Sequence, residues 1–420
     1  MCSTDEMVAE IIAIGSELLT PHRTDTNSLF ITDHLNRIGI EVVLRTIVGD
    51  DRERLTQALA LALQRSDIII TSGGLGPTED DLTRECAAAA LGKTMYRDSS
   101  LLNEIEERFR SRGLTMPSVN LRQSMVIEGA QVLRNPRGTA PGQWIHHDGK
   151  MLILLPGPPR ELQPMFEEIC IPLLQRTGPP SVLLARSLRI TGLTESAVEE
   201  LAAPIYTQYN NPVTTILASP GDVQLHLRAK ASQYSEAKSL LDELSCQLEA
   251  KLRNYIYSTN GDCLEKVVGN LLHQQGQTLA VAESCTGGLL AERITDVPGS
   301  SDYFLGGFVC YSDSWKLNFL DVPADVLEKH GAVSEPVARL LAEGVRKKAG
   351  STYGIGITGI AGPSGSTPSK PVGLVYLALA APKETQVLQR LYPGEREIIR
   401  WQSTQAALDM LRRMIVSTMK

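Results

Sequence analysis

The stretch Ser72-Gly73-Gly74-Leu75-Gly76-Pro77-Thr78-Glu79-Asp80-Asp81 sets three glycines beside a pair of aspartates. Glycines let backbone N–H groups come close to a ligand. Thr78 reads as an N-cap with Asp81 three residues on, so a helix N-terminus would point at the same spot and favour an anion. Asp80 and Asp81 add oxygen ligands for a hard cation such as Mg²⁺. A phosphate cradle with adjacent acids points to phosphate-ester or pyrophosphate chemistry. The same residues also suit a tight strand-to-helix turn whose acids complement the helix dipole.

A second cluster lies far downstream, in Glu283-Ser284-Cys285-Thr286-Gly287-Gly288. A hydroxyl at a strand-to-helix turn can be a nucleophile, with nearby N–H groups for an oxyanion; it can equally be a helix cap. A nucleophilic hydroxyl needs a base. The histidines beyond residue 258, His273 and His330, sit in no glycine-rich motif, which gives a histidine base little support; a lysine can serve if burial lowers its pKa, and Lys316 is the lysine closest to the motifs, although it would equally be a solvated lysine on a helix face. Cys285 is a rival nucleophile on composition alone. Gly306-Gly307-Phe308-Val309-Cys310-Tyr311-Ser312 and Thr358-Gly359-Ile360-Ala361-Gly362-Pro363 are further glycine-bearing strand ends, and the loop from Ser364 to Pro368 is long enough for a lid.

The elements that must position these groups alternate. Strands are expected over 8–14, 41–48, 68–71 and 151–155, with helices from Asp25-Thr26-Asn27-Ser28 through Leu35, over 52–65, over 81–91 with Gly92 as its stop, and over 161–170. That order implies a mostly parallel sheet covered by helices on both faces, with ligands bound beyond the carboxyl ends of the strands. Glu17, Asp25, Asn27, Asp80 and Asp81 all follow strand ends and can converge there, although Asp25 alone would also serve as a helix cap and Asn27 as a turn residue. The turn-rich loops around Gly138-Thr139 and Pro156-Gly157-Pro158-Pro159 belong to the same rim. Thr177-Gly178-Pro179-Pro180 reads as a linker. Beyond it, strands over 181–191, 214–218 and 223–228 with helices over 194–206 and 235–255 make a small α+β module, without a G-x-x-G clamp or basic stripe for RNA. Ser258-Thr259-Asn260-Gly261-Asp262 is a second linker, after which a strand over 278–282 runs into the serine turn and a helix begins at Leu289.

Composition narrows the function classes. A chain of 420 residues is too long for one core, so two or three domains are expected. No apolar run is long enough to span a membrane, and residues 1–6 are polar and acidic rather than signal-like. The net charge of −7 argues against a nucleic-acid-coating surface and fits an enzyme of small molecules. Seven scattered cysteines without a C-x-x-C suit reduced thiols in a cytoplasm and no structural zinc.

Taken together, the two motif sets resemble the CinA family over essentially the whole chain. The resemblance implies an α/β protein with a three-layer, molybdopterin-binding-like domain over 1–176, a small α+β KH-like domain over 181–256 and an α/β deamidase domain over 260–420. It implies divalent-metal-dependent hydrolysis of ADP-ribose to AMP and ribose 5-phosphate by the first domain, with metal ligands among Glu17, Asp25, Asp80 and Asp81. Substrate-binding positions there would be Asn27, Gly73, Gly74, Gly76, Thr78, Gly138, Thr139 and Gly157. Pro21-His22-Arg23 departs from the small glycine turn expected after Glu17-Leu18-Leu19. For the last domain the resemblance implies a cofactor-free nicotinamide mononucleotide deamidase. Ser284 would attack the carboxamide, Lys316 take the proton, and Tyr311 and Thr358 position nucleophile or substrate, with Thr286, Gly287, Gly288, Gly359 and Gly362 binding substrate. A cytoplasmic homodimer is implied as well. A molybdopterin-handling enzyme and a non-enzymatic adaptor for DNA uptake or recombination remain open alternatives.

Overall fold

The computed structural model of the protein describes residues 7–177 and 182–419. The polar start at 1–6, the linker residues 178–180 and the expected strand start at Ser181 lie outside the described residues. The chain divides into two compact units, Met1–Leu184 with Ala229–Leu240, and Ala185–Arg228 with Leu241–Lys420.

The first unit alternates as expected: β1 (Val8–Ile14), α1 (Asn27–Arg37), β2 (Glu41–Val48), α2 (Arg52–Arg65), β3 (Ile68–Ser72) and α3 (Thr83–Leu91). Then come β4 (Met95–Arg97), α4 (Ser99–Arg110), β5 (Met125–Ile127), β6 (Gln131–Leu133), β7 (Gly142–His147) and β8 (Lys150–Leu155). The last helix is longer than expected: α5 (Pro159–Met165) passes through one π-helical stretch, Phe166–Cys170, into α6 (Ile171–Thr177). Six strands form one sheet ordered β2-β1-β3-β8-β7-β6, with β1, β2, β3 and β8 parallel and β7 and β6 antiparallel. The β-branched run Ile68-Ile69-Ile70 is fully buried because β3 is covered on both faces. Ile68 and Ile70 pack with Ile31 and Leu35 on one side, and Ile69 with Leu55 and Leu59 on the other.

The middle module contributes β9 (Val182–Ile190), α7 (Glu195–Tyr206), β10 (Val213–Ser219), β11 (Asp222–Ala231), α8 (Tyr234–Leu252) and β12 (Ile256–Ser258). Its sheet order is β10-β11-β9-β12, and the turn at Pro220-Gly221 joins β10 to β11.

The remaining elements are α9 (Leu264–Gln275), β13 (Leu279–Glu283), α10 (Leu289–Thr295), β14 (Phe304–Val309), α11 (Asp313–Leu320), α12 (Ala324–His330), α13 (Glu335–Ala349), β15 (Tyr353–Gly359), β16 (Leu374–Ala380), β17 (Thr385–Leu391) and α14 (Arg396–Thr418). The sheet order β14-β13-β15-β16-β17 places β13 between β14 and β15, parallel to both, with β16 and β17 antiparallel. Gly354 and Gly356 let α13 lie against β15, since a Cβ at either would strike the helix backbone. Among the described residues no helix is long and apolar enough to cross a membrane.

Candidate active sites

In the first unit the carboxyl ends of β1, β3 and β8 open onto a cavity of about 380 Å³. Glu17 from the turn after β1, the glycine loop after β3, Thr139, and Gly157 after β8 all line it. Gly73 takes φ 113°, and a Cβ there would collide with the Ile14 carbonyl, so only glycine lets the β3 exit pass β1 this closely. Thr78, Asp80 and Asp81 line the same cavity, but not as a helix start. The Asp81 carboxylate accepts the Thr78 amide at 2.8 Å, and the Thr78 hydroxyl lies between the two aspartates, 2.5 Å from Asp81 Oδ2. That self-contained turn postpones α3 to Thr83, with Leu82 at its cap, so the reading of Thr78 as an N-cap and of a helix from Asp81 is corrected. The Thr78 hydroxyl, the residue's own amide and nearby Arg122 hold the Asp80 carboxyl below its usual range.

The other first-unit residues divide. Asn27 is buried and donates to Ser72 Oγ (2.8 Å) and the Gly157 carbonyl (2.7 Å), tying the β3 and β8 exits together, while its Oδ1 has no partner among the described residues. Asp25 accepts the Ser28 amide at 3.0 Å and is not among the cavity-lining residues. Gly138 packs on the Glu161 carboxylate, which Asn135 also holds at 2.8 Å. Asp50, Gln123 and Glu161 line the cavity without having been read from sequence. Asp50 grips the Glu17 turn through the Ser16 amide at 2.7 Å. Arg122 grips the acid turn, donating to the Thr78 carbonyl (2.8 Å) while paired with Glu85 (3.0 Å). The donor set lining the cavity is carboxylate oxygen, the chemistry that suits a hard divalent cation. Among the described residues no three His, Cys, Asp or Glu side chains are drawn together to hold one.

In the second unit, strand register brings the other motifs side by side. Glu283 pairs with Val309 of β14 and Ile357 of β15, so Ser284 emerges between Cys310 and Thr358. Its amide donates to the Ile357 carbonyl at 3.0 Å. Lys316 is 1% exposed despite its charge, which is unusual for lysine. Its Nζ donates to the Tyr311 carbonyl and to Asp313 Oδ1, both at 3.3 Å, and no hydrogen bond joins it to Ser284 among the described residues. Thr358 donates to the Ala332 carbonyl at 2.8 Å. Tyr311 is exposed and lies just past β14, and its hydroxyl accepts from Arg396 at 3.1 Å. Burial pushes the Cys285 thiol up to about 12, which removes the thiolate that a cysteine nucleophile requires.

The turn after Ser284 is built differently from a bare helix N-terminus. The buried Glu283 carboxylate accepts the amides of Gly288 (3.1 Å), Leu290 (3.0 Å) and Ala291 (2.8 Å), so those N–H groups are already engaged. Gly287 donates to Ser284 and Leu289 to Thr286, leaving the Cys285 and Thr286 amides without acceptors among the described residues. The Thr286 hydroxyl is buried and also unpartnered. Two arginines at i,i+4 on α14 hold the surrounding loops and were not read from sequence. Arg396 donates to the Gly362 carbonyl at 2.7 Å, and Arg400 to the Thr286 carbonyl at 2.6 Å.

Comparison with known proteins matches three successive stretches of the chain. Residues 10–176 match the model of a probable molybdopterin binding domain, residues 185–258 the damage-inducible protein CinA KH domain, and residues 262–415 the CinA C-terminal domain. A CinA-like protein of Koribacter versatilis is 52% identical, covering 98% of this chain and 100% of that protein. A putative competence-damage inducible protein of Moorella thermoacetica is 45% identical, covering 97% and 99%. A crystal structure of a CinA superfamily protein from Klebsiella pneumoniae is 31% identical, covers 37% of this chain and 96% of that chain, and has a TM-score of 0.36. With whole-length identity of this order and all three domain models matched in order, the chain belongs to the CinA family.

Proposed function

We propose that the protein is a two-site hydrolase of pyridine-nucleotide salvage. The second unit deamidates nicotinamide mononucleotide to nicotinate mononucleotide, and the first hydrolyses ADP-ribose to AMP and ribose 5-phosphate. The observation that carries the reading is the register around β13, which sets Ser284 between the Cys310 and Thr358 strand ends, close to the turn whose carbonyl holds the buried Lys316. In this mechanism Ser284 Oγ attacks the carboxamide carbon and Lys316 takes its proton. The Cys285 and Thr286 amides, without backbone acceptors among the described residues, would supply donors for the oxyanion. Returning the proton to the leaving nitrogen releases ammonia. Water then hydrolyses the acyl-serine to the carboxylate product. Arg396 would hold the Tyr311 hydroxyl.

In the first unit the exit loops of β1, β3 and β8 would seat the pyrophosphate, and Asn27 would keep two of them in register. Glu17, Asp80 and Asp81 line the cavity without forming a preset cation site among the described residues, and are the carboxylates that would meet a divalent cation brought in with the pyrophosphate; when bound it would neutralise the phosphate charge during hydrolysis. Incubating the full chain with each nucleotide, with and without EDTA, tests both halves. Ammonia release should survive the chelator and AMP release should not. Absence of ammonia from nicotinamide mononucleotide would overturn the first assignment, and chelator-resistant cleavage of ADP-ribose the second.

A further inference from the structure

Among the described residues Arg84 heads the fully buried side chains by size, and its hydrogen-bond partners there are two backbone carbonyls rather than a carboxylate. A guanidinium taken out of water needs compensation. Arg84 finds it in the glycine loop, donating to the Leu75 and Gly76 carbonyls at 2.9 Å each, while its Nε has no partner among the described residues. The preceding residue does the same job one step earlier. The Thr83 hydroxyl donates to the Gly73 carbonyl at 2.8 Å, and the Thr83 amide to the Gly74 carbonyl at 3.2 Å.

Four consecutive carbonyls, Gly73, Gly74, Leu75 and Gly76, are therefore drawn toward the start of α3, and the peptides of the first three carry an N–H, the fourth preceding Pro77. A trans peptide is planar, and its N–H points opposite its C=O. The amides of Gly74, Leu75 and Gly76 must then face away from α3, on the side of the loop that borders the cavity. None of the three has an acceptor among the described residues. Successive N–H groups converging in this way bind an anionic oxygen.

We infer that Thr83 and Arg84 are positioning residues that preset these three amides as a nest for a phosphate oxygen of the substrate. This rests on the pyrophosphate reading above. Neither side chain touches the ligand; they fix the peptide planes beforehand, so binding need not order the loop.

The test uses the full chain and four variants: Arg84→Lys, Arg84→Met, Thr83→Val and Thr83→Ser. Calorimetry gives affinities for ADP-ribose and for inorganic pyrophosphate, and hydrogen exchange without ligand follows residues 73–86 against β1 and β3. Arg84→Lys keeps the charge but cannot span both carbonyls. It should weaken both anions tenfold or more and speed exchange in the loop, with the strands as protected as in the parent. Arg84→Met and Thr83→Val should do the same, and Thr83→Ser should retain parent affinity. Parent affinity in Arg84→Lys with the strands intact would overturn the proposal, as would equal losses in Thr83→Ser and Thr83→Val. If the parent binds pyrophosphate but does not cleave ADP-ribose, the substrate reading fails and the nest stands. If it binds neither anion, the nest fails as well.

Discussion

Glu283 is the residue on which the geometry of the serine turn depends most directly, and Glu283→Gln tests that dependence. The side chain is 1% exposed and its two oxygens accept three amides from the following turn and helix. In the glutamine variant an NH₂ replaces one oxygen and faces at least one N–H. The milder outcome keeps the oxygen at Gly288 and Leu290 and strands the Ala291 amide. Losing one charge-assisted hydrogen bond costs about 1.5–3 kcal/mol. Losing the negative charge beside the start of α10 adds roughly 0.3–2 kcal/mol. The expected destabilisation is therefore about 2–5 kcal/mol, a large part of the roughly 5–15 kcal/mol that holds a domain together. Urea unfolding followed through Trp315 and Trp401, both in the second unit, measures it. Because Ser284 is the next residue, deamidation by the folded fraction should also fall, about 10²-fold if the nucleophile shifts by an ångström. A variant within about 0.5 kcal/mol of the parent that deamidates at the parent rate would refute the clamp.

Three further outcomes are expected. Ser284→Ala, Lys316→Ala and the double variant should share one low residual deamidation rate, because members of one catalytic unit do not add, with the lysine change alone costing roughly 10²–10⁴-fold; an active Lys316→Ala would point to another base. Asp81→Ala should abolish AMP release from ADP-ribose, followed by chromatography, yet leave deamidation within a few-fold, since the two sites share no residues; equal loss of both rates would contradict separate sites. Cys285→Ala should retain most deamidase activity, and iodoacetamide labelling read by mass spectrometry should show why. With its thiol pushed up to about 12, Cys285 is about 10⁻⁴ thiolate at pH 8, so labelling should be slow, rise about tenfold per pH unit toward pH 11, and trail the exposed Cys246 throughout.

Strands and many of the turns that end them are legible in the sequence alone. The runs at 8–14 and 41–48 match β1 and β2 residue for residue, as does the helix at 52–65, because a buried β-branched run, a polar cap and an amphipathic repeat are local patterns. Gly92 does end α3 in a left-handed conformation. The misjudged point is also local in origin: Thr78 has the chemistry of a cap, and only the competing acids at 80 and 81 show that it closes a turn instead. What sequence by itself determined about this protein is which residue types stand at the strand exits, and hence that glycine amides, paired acids, a serine and a lysine were available there. What tertiary structure decided is how they are held. Arg84 among its carbonyls, Arg122 on the acid turn, and Arg396 and Arg400 reaching from α14 all read along the chain as ordinary charged residues on helices or in loops. Each of them grips at least one backbone carbonyl, mostly distant in sequence, and a carbonyl carries no residue identity. No pattern of side chains along the chain can announce such a contact, and only folding brings the two groups together.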